Sequence, residues 1–185
     1  APVSAELLDW FKKLDIQIQE VYGATELCGG VTFNALNEIT TGTVGRPLYG
    51  TDIKVDSETD EVLVQAPWTM LGYYKADDKT AEVFEGKYYK TGDTGRFDKQ
   101  GNLIITGRIK DTFKTAKGKF VVPVPLEHHF STNPFIEQIM ITGIGLTQPI
   151  ALISLNTQIK FNEKEIKASL FKTLAHVNSL SEKLP

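Results

Sequence analysis

The sequence lacks features on which several classes of protein depend. Cys28 is the one cysteine among 185 residues, so the chain forms no internal disulfide, which is typical of a reducing compartment. No apolar run reaches the roughly 18–20 residues that span a bilayer. The first residues show no basic segment followed by an apolar stretch, as a secretory signal would. We therefore predict a protein without transmembrane segments that works in the cytoplasm.

Metal, nucleic-acid and hydrolase chemistry also have little support in the sequence. The three histidines are His128 and His129, which point in different directions on a helix, and the distant His176. None has cysteines or carboxylates at zinc-ligand spacing. The formal net charge of −3 argues against general nucleic-acid binding. The absence of a G-x-S-x-G segment argues against a hydrolase with a nucleophile elbow.

One glycine-rich segment, residues 40–47 (TTGTVGRP), resembles a phosphate-binding loop but does not have its chemistry. The next glycine, Gly50, is followed by Thr51 and Asp52, where a P-loop needs Lys and then Ser or Thr. The pattern also lacks the change from strand to helix that surrounds such a loop. We therefore interpret this segment as a turn that leads into a strand.

The composition itself is that of an ordinary globular protein, but its charge is unevenly distributed. Hydrophobic residues make up 41% and charged residues 23% of the chain. Residues 1–109 hold 17 acids and 11 bases (net −6), whereas residues 110–185 hold 6 acids and 9 bases (net +3). The sign changes at residues 107–111 (GRIKD), where we predict a domain boundary. Four lysines then fall within ten residues: Lys110, Lys114, Lys117 and Lys119. They form either a solvated hairpin face or a functional patch.

Periodicity predicts a helix and then strands in the first part of the chain. A helix over residues 4–14, with Ser4 as its N-cap, places four apolar residues on one face: Leu7, Leu8, Phe11 and Leu14. Ile16 and Ile18 alternate with glutamines, which predicts a strand that runs into Tyr22. Apolar runs separated by turn residues predict further strands over residues 51–55, 61–66, 87–91 and 102–107.

The pattern beyond Arg108 predicts a small unit of helices and strands. Residues 111–122 are typical of a β-hairpin that turns near Lys117 and Gly118, and Pro125 suits the first position of a short helix. Two more strands are predicted over residues 136–143 and 150–156. A last amphipathic helix carries an apolar stripe of four residues: Ile166, Leu170, Leu174 and Val177.

The first candidate functional segment is residues 22–26 (YGATE). A strand that ends in a glycine-containing turn can present a flat aromatic ring, a hydroxyl and a carboxylate to one cleft. A nucleotide needs a surface for its base, a hydrogen bond to a phosphate, and an oxygen ligand for Mg²⁺. The alternative is an ordinary turn whose glutamate faces solvent.

Two further segments carry charged residues beside glycine. In residues 89–93 (YKTGD), a carboxylate at a strand end can accept hydrogen bonds from two vicinal hydroxyls, although Asp and Gly are also common in hairpin turns. In residues 107–111, Arg108 is one of three arginines beside 17 lysines. Its guanidinium suits phosphate or ribose oxygens, and the alternative is a surface cation.

Taken together and in this order, the motifs resemble those of the adenylate-forming (AMP-binding) acyl-CoA synthetases, the family that includes luciferases and the adenylation domains of peptide synthetases. The resemblance covers essentially the whole chain. Its segments are residues 22–26, 42–50 (GTVGRPLYG), 61–84, 89–93 and 107–127. The stretches MLGYYK and GRIKDTFKTAKGKFVVP are most similar to the long-chain fatty acid branch.

The resemblance implies an enzyme that activates a fatty acid with ATP and Mg²⁺ to an acyl-adenylate and pyrophosphate. The acyl group would then pass to the thiol of coenzyme A. The partners would be these small molecules and no nucleic acid, while peripheral membrane association and the oligomeric state stay open. Two alternatives stay open as well: an enzyme that loads the phosphopantetheine thiol of a carrier protein, and a non-catalytic nucleotide-binding relative.

The resemblance also implies roles for the residues that would hold the nucleotide. Tyr22, followed by Gly23 in the turn, would stack on adenine. Thr25 would hydrogen-bond the α-phosphate, and Glu26 would ligate Mg²⁺. Asp93 would hold both ribose hydroxyls.

Three further residues receive roles from the same resemblance. Arg108 would contact ribose or phosphate, and Lys110 falls at the hinge between the large and small domains. Gly118 would approach the pantetheine of coenzyme A, with nearby lysines at the phosphates. Water alone can satisfy a lysine, so the alternative for these lysines is a solvated hairpin face.

The resemblance implies an α+β fold in three parts. Residues 1–39 would end the α/β part of the N-terminal AMP-binding domain, residues 40–109 would form a β-rich, barrel-like subdomain, and residues 110–185 would form a truncated α+β C-terminal domain. The family's phosphate loop and its C-terminal lysine motif have no counterpart here. We therefore expect a fragment of a longer synthetase that is inactive on its own.

Overall fold

The division of the chain into two units dominates the architecture. The computed structural model describes residue 3 and residues 5–36, 38–159 and 162–181. By the contacts between its residues, the chain separates into Ala1–Ile109 and Lys110–Pro185. The two units are described in turn, as the first unit and the second unit. The finer boundary between residues 39 and 40 stays a prediction.

The first unit opens with a helix and a three-stranded antiparallel sheet. Helix α1 covers Ala5–Lys13, and the strands in order across the sheet are β1 (Val21–Ala24), β2 (Gly29–Phe33) and β3 (Arg46–Pro47). The predicted helix is confirmed, and its N-cap Ser4 lies outside the described residues. The predicted strand from Ile16 is wrong. There the chain turns back at Asp15 (φ 60°), and the Ile16 N–H bonds to the carbonyl of Phe11, so two alternating isoleucines do not make a strand.

A five-stranded antiparallel sheet forms the rest of the first unit. Its elements are β4 (Asp52–Val55), β5 (Glu61–Gln65), a short helix α2 (Asp77–Glu82), β6 (Phe84–Glu85), β7 (Tyr88–Phe97) and β8 (Leu103–Arg108). The order is β4-β5-β7-β6, with β8 paired to β7. The ten residues of β7 pair first with β5 and β6 and then with β8, which curls the sheet. The four predicted strands are confirmed, and β7 runs six residues further than predicted.

The core of the first unit is aliphatic and lies around β5. Val62, Leu63 and Val64 are successive residues, and all three are buried. A strand that is buried on both faces loses the alternation of polar and apolar residues, as this one does. Leu27, in the turn after β1, and Val31, on β2, pack in one cluster with Val62 and Val64. The turn after β1 is therefore anchored in the core of the five-stranded sheet.

The second unit is a smaller α+β assembly. Its elements are β9 (Phe113–Lys114), β10 (Phe120–Val121), α3 (Pro123–Ser131), β11 (Ile136–Thr142), β12 (Ile150–Leu155) and α4 (Glu163–Ser181). The predicted hairpin is confirmed, with β9 and β10 antiparallel. Helix α3 begins at Pro123 and not at Pro125. Both prolines fit the first turn, where a missing N–H costs no helical hydrogen bond.

The helices of the second unit cover a core that includes both hairpin strands. Phe113 and Val121 of the hairpin pack with Phe130 of α3 and Val177 of α4. Leu174, which was predicted to belong to the apolar stripe of α4, is 41% exposed. Within the described residues, no helix has both the length and the apolar character required to cross a membrane.

Candidate functional site

Asp93 stands on a bulge in the longest strand. Across β5 and β7, Leu63 pairs with Lys90 but Glu61 pairs with Thr94, so the register shifts between them. Gly92 adopts φ 72°, which glycine tolerates, and its N–H donates to the buried carboxylate of Glu61 at 2.9 Å. A bulge of this kind redirects a side chain, and Asp93 here lies directly across β7 and β8 from Arg108.

Two donors hold the Asp93 carboxylate, one at each oxygen. The Tyr22 hydroxyl donates to Oδ2 at 2.7 Å, and the Arg108 Nε donates to Oδ1 at 2.8 Å. The Asp93 side chain is 18% exposed and that of Arg108 is 62% exposed, so this ion pair lies at the surface. The structure therefore brings together three of the predicted site residues, from three strands.

Tyr22 acts as a hydrogen-bond donor in this arrangement. Its ring packs against the core of the first unit, and this burial raises the pKa of the phenol far above its usual value, with the negative charge of Asp93 adding to the effect. The phenol thus stays protonated at any ordinary pH. Stacking on an adenine, as predicted for Tyr22, would use the part of the ring that the core leaves uncovered.

The turn of residues 22–26 is tight and borders a groove. Strand β1 passes into a 3₁₀ turn at Thr25–Leu27 and then into β2. A Cβ at Gly23 would lie 1.9 Å from the carbonyl oxygen of Gly29, so this position requires glycine. The exposed Thr25 contributes to an open groove of about 570 Å³, whose lining residues are Val21, Gly23, Ala24, Thr25, Gly29 and Gly30.

Glu26 is half-buried and is bonded by a tyrosine that the sequence analysis did not single out. The Tyr73 hydroxyl donates to Glu26 Oε1 at 2.8 Å, and this hydrogen bond is the main cause of the raised pKa of Tyr73. Burial raises the pKa of the neighbouring Tyr89, and the charge of Glu26 adds to that shift. Within the part of the chain that the structure describes, no basic side chain forms an ion pair with Glu26.

The surroundings of Glu26 fit a single protein ligand to Mg²⁺. The described residues contain no group of three or more His, Cys, Asp or Glu side chains that could hold a metal on their own. Mg²⁺ usually keeps several waters and binds through one or two carboxylates together with substrate phosphates. The exposed Thr25 hydroxyl beside the groove suits a phosphate oxygen, so the metal would arrive with the nucleotide.

Lys110 and Gly118 lie in the second unit. Lys110 is exposed in a short 3₁₀ turn at Ile109–Asp111. Gly118 adopts φ 82° in the tight turn between β9 and β10, where its N–H donates to the carbonyl of Thr115. Lys114 stands with its Nζ 5.2 Å from the ring centre of Phe120, and Lys117 and Lys119 are exposed.

The sequence analysis missed two groups that shape the site. Tyr73 belongs to the segment MLGYYK, which entered the resemblance without a role for its tyrosines. Glu61 begins an apolar strand and looks like an ordinary terminal residue, so only the bulge shows that it supports Gly92. The signal for Tyr73 was present as part of a motif, whereas the sequence carried no signal for Glu61.

Comparison with family models covers both units. The AMP-binding enzyme model matches residues 1–74, and the model for the C-terminal domain of AMP-binding enzymes matches residues 110–184. The chain belongs to the AMP-binding enzymes. This confirms the family that the motifs predicted, with each of its two domains represented.

Curated relatives of this AMP-binding chain include fatty acid–CoA ligases. The long-chain-fatty-acid–CoA ligase FadD15 of Mycobacterium bovis is 35% identical over 158 residues, which make up 85% of this chain and 26% of that protein. The long-chain-fatty-acid–CoA ligase 6 of Rattus norvegicus is 34% identical over 158 residues, which cover 79% of this chain and 23% of that protein. The chain thus spans about a quarter of the length of these relatives.

Solved structures confirm the predicted α+β fold. The anthranilate CoA ligase AuaEII, in complex with anthranoyl-AMP, superposes with a TM-score of 0.76 at 25% identity over 91% of this chain and 35% of that chain. The o-succinylbenzoate CoA synthetase of Bacillus subtilis, in complex with its acyl-adenylate intermediate, superposes with a TM-score of 0.80 at 21% identity. The superposition covers 93% of this chain and 38% of that chain. The second likeness shows the fold alone.

Proposed function

We propose that this chain forms part of an ATP-dependent fatty acyl-CoA ligase. The complete enzyme that contains it, called here the complete synthetase, would convert a fatty acid to an acyl-adenylate and transfer the acyl group to coenzyme A. The observation that carries the proposal is the Asp93 carboxylate, held at both oxygens by Tyr22 and Arg108 on the same unit as the tight turn of residues 22–26. The similarity to long-chain fatty acid–CoA ligases supports this choice of substrate.

Asp93 would bind the ribose. Each carboxylate oxygen can accept more than one hydrogen bond, so Oδ1 and Oδ2 can receive the two ribose hydroxyls in addition to Arg108 and Tyr22. The two existing bonds fix the plane of the carboxylate before the nucleotide arrives. The exposed Arg108 guanidinium is then placed near the same sugar and its phosphate.

Thr25 and Glu26 would serve the phosphate end of the nucleotide. The Thr25 hydroxyl can donate to the α-phosphate, whose phosphorus the carboxylate of the fatty acid would attack as pyrophosphate leaves. The same phosphate would carry the charge of the AMP leaving group when the thiol of coenzyme A takes the acyl group. Glu26 would hold the Mg²⁺ that ATP brings, and this ion would neutralise charge on the phosphates. Gly23 allows the two strands to approach closely enough to form this turn.

The second unit would supply the coenzyme A side of the reaction. The hairpin turn at Gly118 has no side chain to obstruct a pantetheine arm, and its lysines could meet the phosphates of the coenzyme. Lys110, at the boundary between the two units, would be the hinge. The cytoplasmic location and peripheral contact with a membrane stay predictions.

One experiment on the complete synthetase tests the proposed function. We expect fatty-acid-dependent exchange of pyrophosphate into ATP, and formation of a thioester with free coenzyme A. Thioester formation only with a phosphopantetheine-carrying protein would identify a carrier-loading enzyme. The lack of any pyrophosphate exchange with a panel of fatty acids would contradict the proposal and favour a non-catalytic relative.

We also propose that the 185-residue chain alone makes no acyl-adenylate. It covers about a quarter of its ligase relatives and lacks a phosphate-loop segment with the required lysine. The same exchange assay on the purified chain should give only background. Fatty-acid-dependent exchange well above background would contradict this part of the proposal.

A further inference from the structure

The loop of residues 66–76, between β5 and α2, is attached directly to Glu26. The Met70 N–H donates to the main-chain carbonyl of Glu26 at 2.8 Å. The Tyr73 hydroxyl donates to the side-chain Oε1 of the same residue at 2.8 Å. The loop therefore hydrogen-bonds to both the backbone and the carboxylate of Glu26, although Glu26 lies more than 40 residues earlier in the chain than Met70 and Tyr73.

Tyr73 is itself held at its backbone end. Its N–H donates to Thr80 Oγ1 at 2.9 Å, and Thr80 in turn donates to the carbonyl of Ala76 at 3.1 Å. Gly72, with φ 153°, packs so closely that a Cβ there would lie 2.8 Å from the Thr80 side chain. Tyr73 is thus fixed at its backbone N–H and at its hydroxyl, and it connects α2 to Glu26. We call this connection through Tyr73 the strut.

The strut differs from an ion pair in a way that matters for metal binding. A hydroxyl fixes the direction of a carboxylate but brings no positive charge, so the carboxylate keeps its attraction for a cation. Groups that orient a metal ligand in this way commonly contribute to metal affinity without touching the metal. Lys or Arg in the same place would compete with the ion.

We propose that Tyr73 is a positioning residue for Glu26, which it holds in the orientation needed to bind the divalent cation of MgATP. This inference rests on the proposed function, since it assigns Glu26 to the metal. The half-buried Tyr73 and Glu26 make the contact, whereas the adjacent Tyr74 is 87% exposed. Tyr74 therefore provides a matched control.

The test measures the binding of ATP to the complete synthetase by calorimetry, at a series of Mg²⁺ concentrations and without fatty acid. Tyr73→Phe should raise the Mg²⁺ concentration for half-maximal ATP binding about tenfold. ATP binding without Mg²⁺ should stay unchanged in this variant. Tyr74→Phe should behave as the wild type, and Tyr73→Phe should add nothing in a Glu26→Gln background.

Three results would overturn the inference, and they can be told apart. A wild-type Mg²⁺ requirement in Tyr73→Phe, with a raised one in Glu26→Gln, rejects the strut and leaves the proposed function intact. An equal loss of ATP binding with and without Mg²⁺ in Tyr73→Phe shows a merely structural role. A wild-type Mg²⁺ requirement in Glu26→Gln removes the metal from Glu26, and with it both the inference and that part of the proposed function.

Discussion

Asp93 and Glu26 are the two carboxylates of the candidate site, and they differ in what surrounds their charge. Asp93 lies on a bulged strand and receives a cation, Arg108, at 2.8 Å as well as the Tyr22 hydroxyl. Glu26 lies in a short turn and receives the hydroxyl of Tyr73. No Lys, Arg or His in the described ranges pairs with Glu26.

This difference indicates which ligand each carboxylate suits. A carboxylate whose charge is already balanced by a guanidinium has little to gain from a second cation, but it can still accept hydrogen bonds from neutral hydroxyls. A carboxylate oriented by a neutral donor keeps its full attraction for a cation. We therefore expect Asp93 to bind sugar hydroxyls and Glu26 to bind metal, and each prediction below tests that contrast or sharpens it.

The largest effect is expected from removing Asp93. Two charge-assisted hydrogen bonds to ribose hydroxyls are each worth about 1.5–3 kcal/mol. Asp93→Ala should therefore weaken the binding of AMP to the complete synthetase about a hundredfold or more. Calorimetry with and without Mg²⁺ should give the same loss. An unchanged affinity would leave Asp93 with a structural role at the bulge of β7.

Removing the charge of Glu26 should weaken ATP binding by way of Mg²⁺, whereas the loss in Asp93→Ala should not depend on Mg²⁺. Glu26→Gln keeps the shape of the side chain, and we expect it to raise the Mg²⁺ requirement for ATP binding by about tenfold to a hundredfold. Binding of AMP without Mg²⁺ should be unaffected. If this variant instead weakened metal-free AMP binding as Asp93→Ala does, the contrast between the two carboxylates would be wrong.

A third prediction concerns Lys110, at the boundary between the two units. The two proposed half-reactions would share one adenylate, which would require the domains to rearrange, with a few residues absorbing the change in φ and ψ. Proline at position 110 would lock φ near −65° and restrict Ile109. Lys110→Pro should therefore impair thioester formation about tenfold more than adenylation, a difference of about 1.4 kcal/mol.

Two assays on the complete synthetase separate the steps for Lys110→Pro. Pyrophosphate exchange measures adenylation, and transfer from preformed acyl-adenylate measures thioester formation. Equal losses in both assays would mean that the proline damages the fold, and the hinge assignment would fail.

The smallest effect on binding is expected from the Tyr22 hydroxyl, which supports Asp93 without replacing it. Tyr22→Phe removes one charge-assisted hydrogen bond, worth about 1.5–3 kcal/mol, and only the part of it that orients Asp93 affects AMP binding. AMP affinity should fall by roughly two- to tenfold, far less than in Asp93→Ala. A loss as large as that of Asp93→Ala would show that Tyr22 contacts the nucleotide through its hydroxyl.

The same tyrosine gives a prediction for stability at alkaline pH. Burial raises the pKa of Tyr22 in the folded chain above its unfolded value of about 10. Below that pH both states hold the proton, and the contribution of Tyr22 is complete. Above it the unfolded chain loses the proton first, so the free energy of unfolding falls as the pH rises. Urea titrations from pH 8 to 11 should show a shallower decline in Tyr22→Phe, and an identical decline would contradict the buried phenol.

Much of the fold follows from short-range patterns in the sequence, but the site depends on contacts that these patterns do not contain. The apolar run between turns at residues 51–55 and the turn at Gly118 specify local structure, and both were predicted correctly. Ile16 and Ile18 show the limit, because two alternating residues do not outweigh a turn at Asp15. Asp93 was predicted from an expected glycine turn at a strand end and from the family motif, but it lies on a bulge within β7.

The groups that position the carboxylates were beyond such reasoning. Tyr22 and Asp93 are 71 residues apart in the chain, and Tyr73 and Glu26 are 47 apart. Nothing local to either tyrosine indicates that its hydroxyl points at a carboxylate. The contact between Gly92 and Glu61 likewise arises from a shift in strand register that pairing rules alone do not predict.

The most direct test of the central claim, that this chain carries the ribose and phosphate side of a nucleotide site, uses the 185-residue chain itself. AMP is titrated to about 10 mM into ¹⁵N-labelled protein, a range suited to a Kd of about 1 mM or weaker. We predict amide shifts at residues 23–26 and at Gly92 and Asp93, which Asp93→Ala abolishes. Shifts that are absent from these amides, or that persist unchanged in Asp93→Ala, would contradict the account.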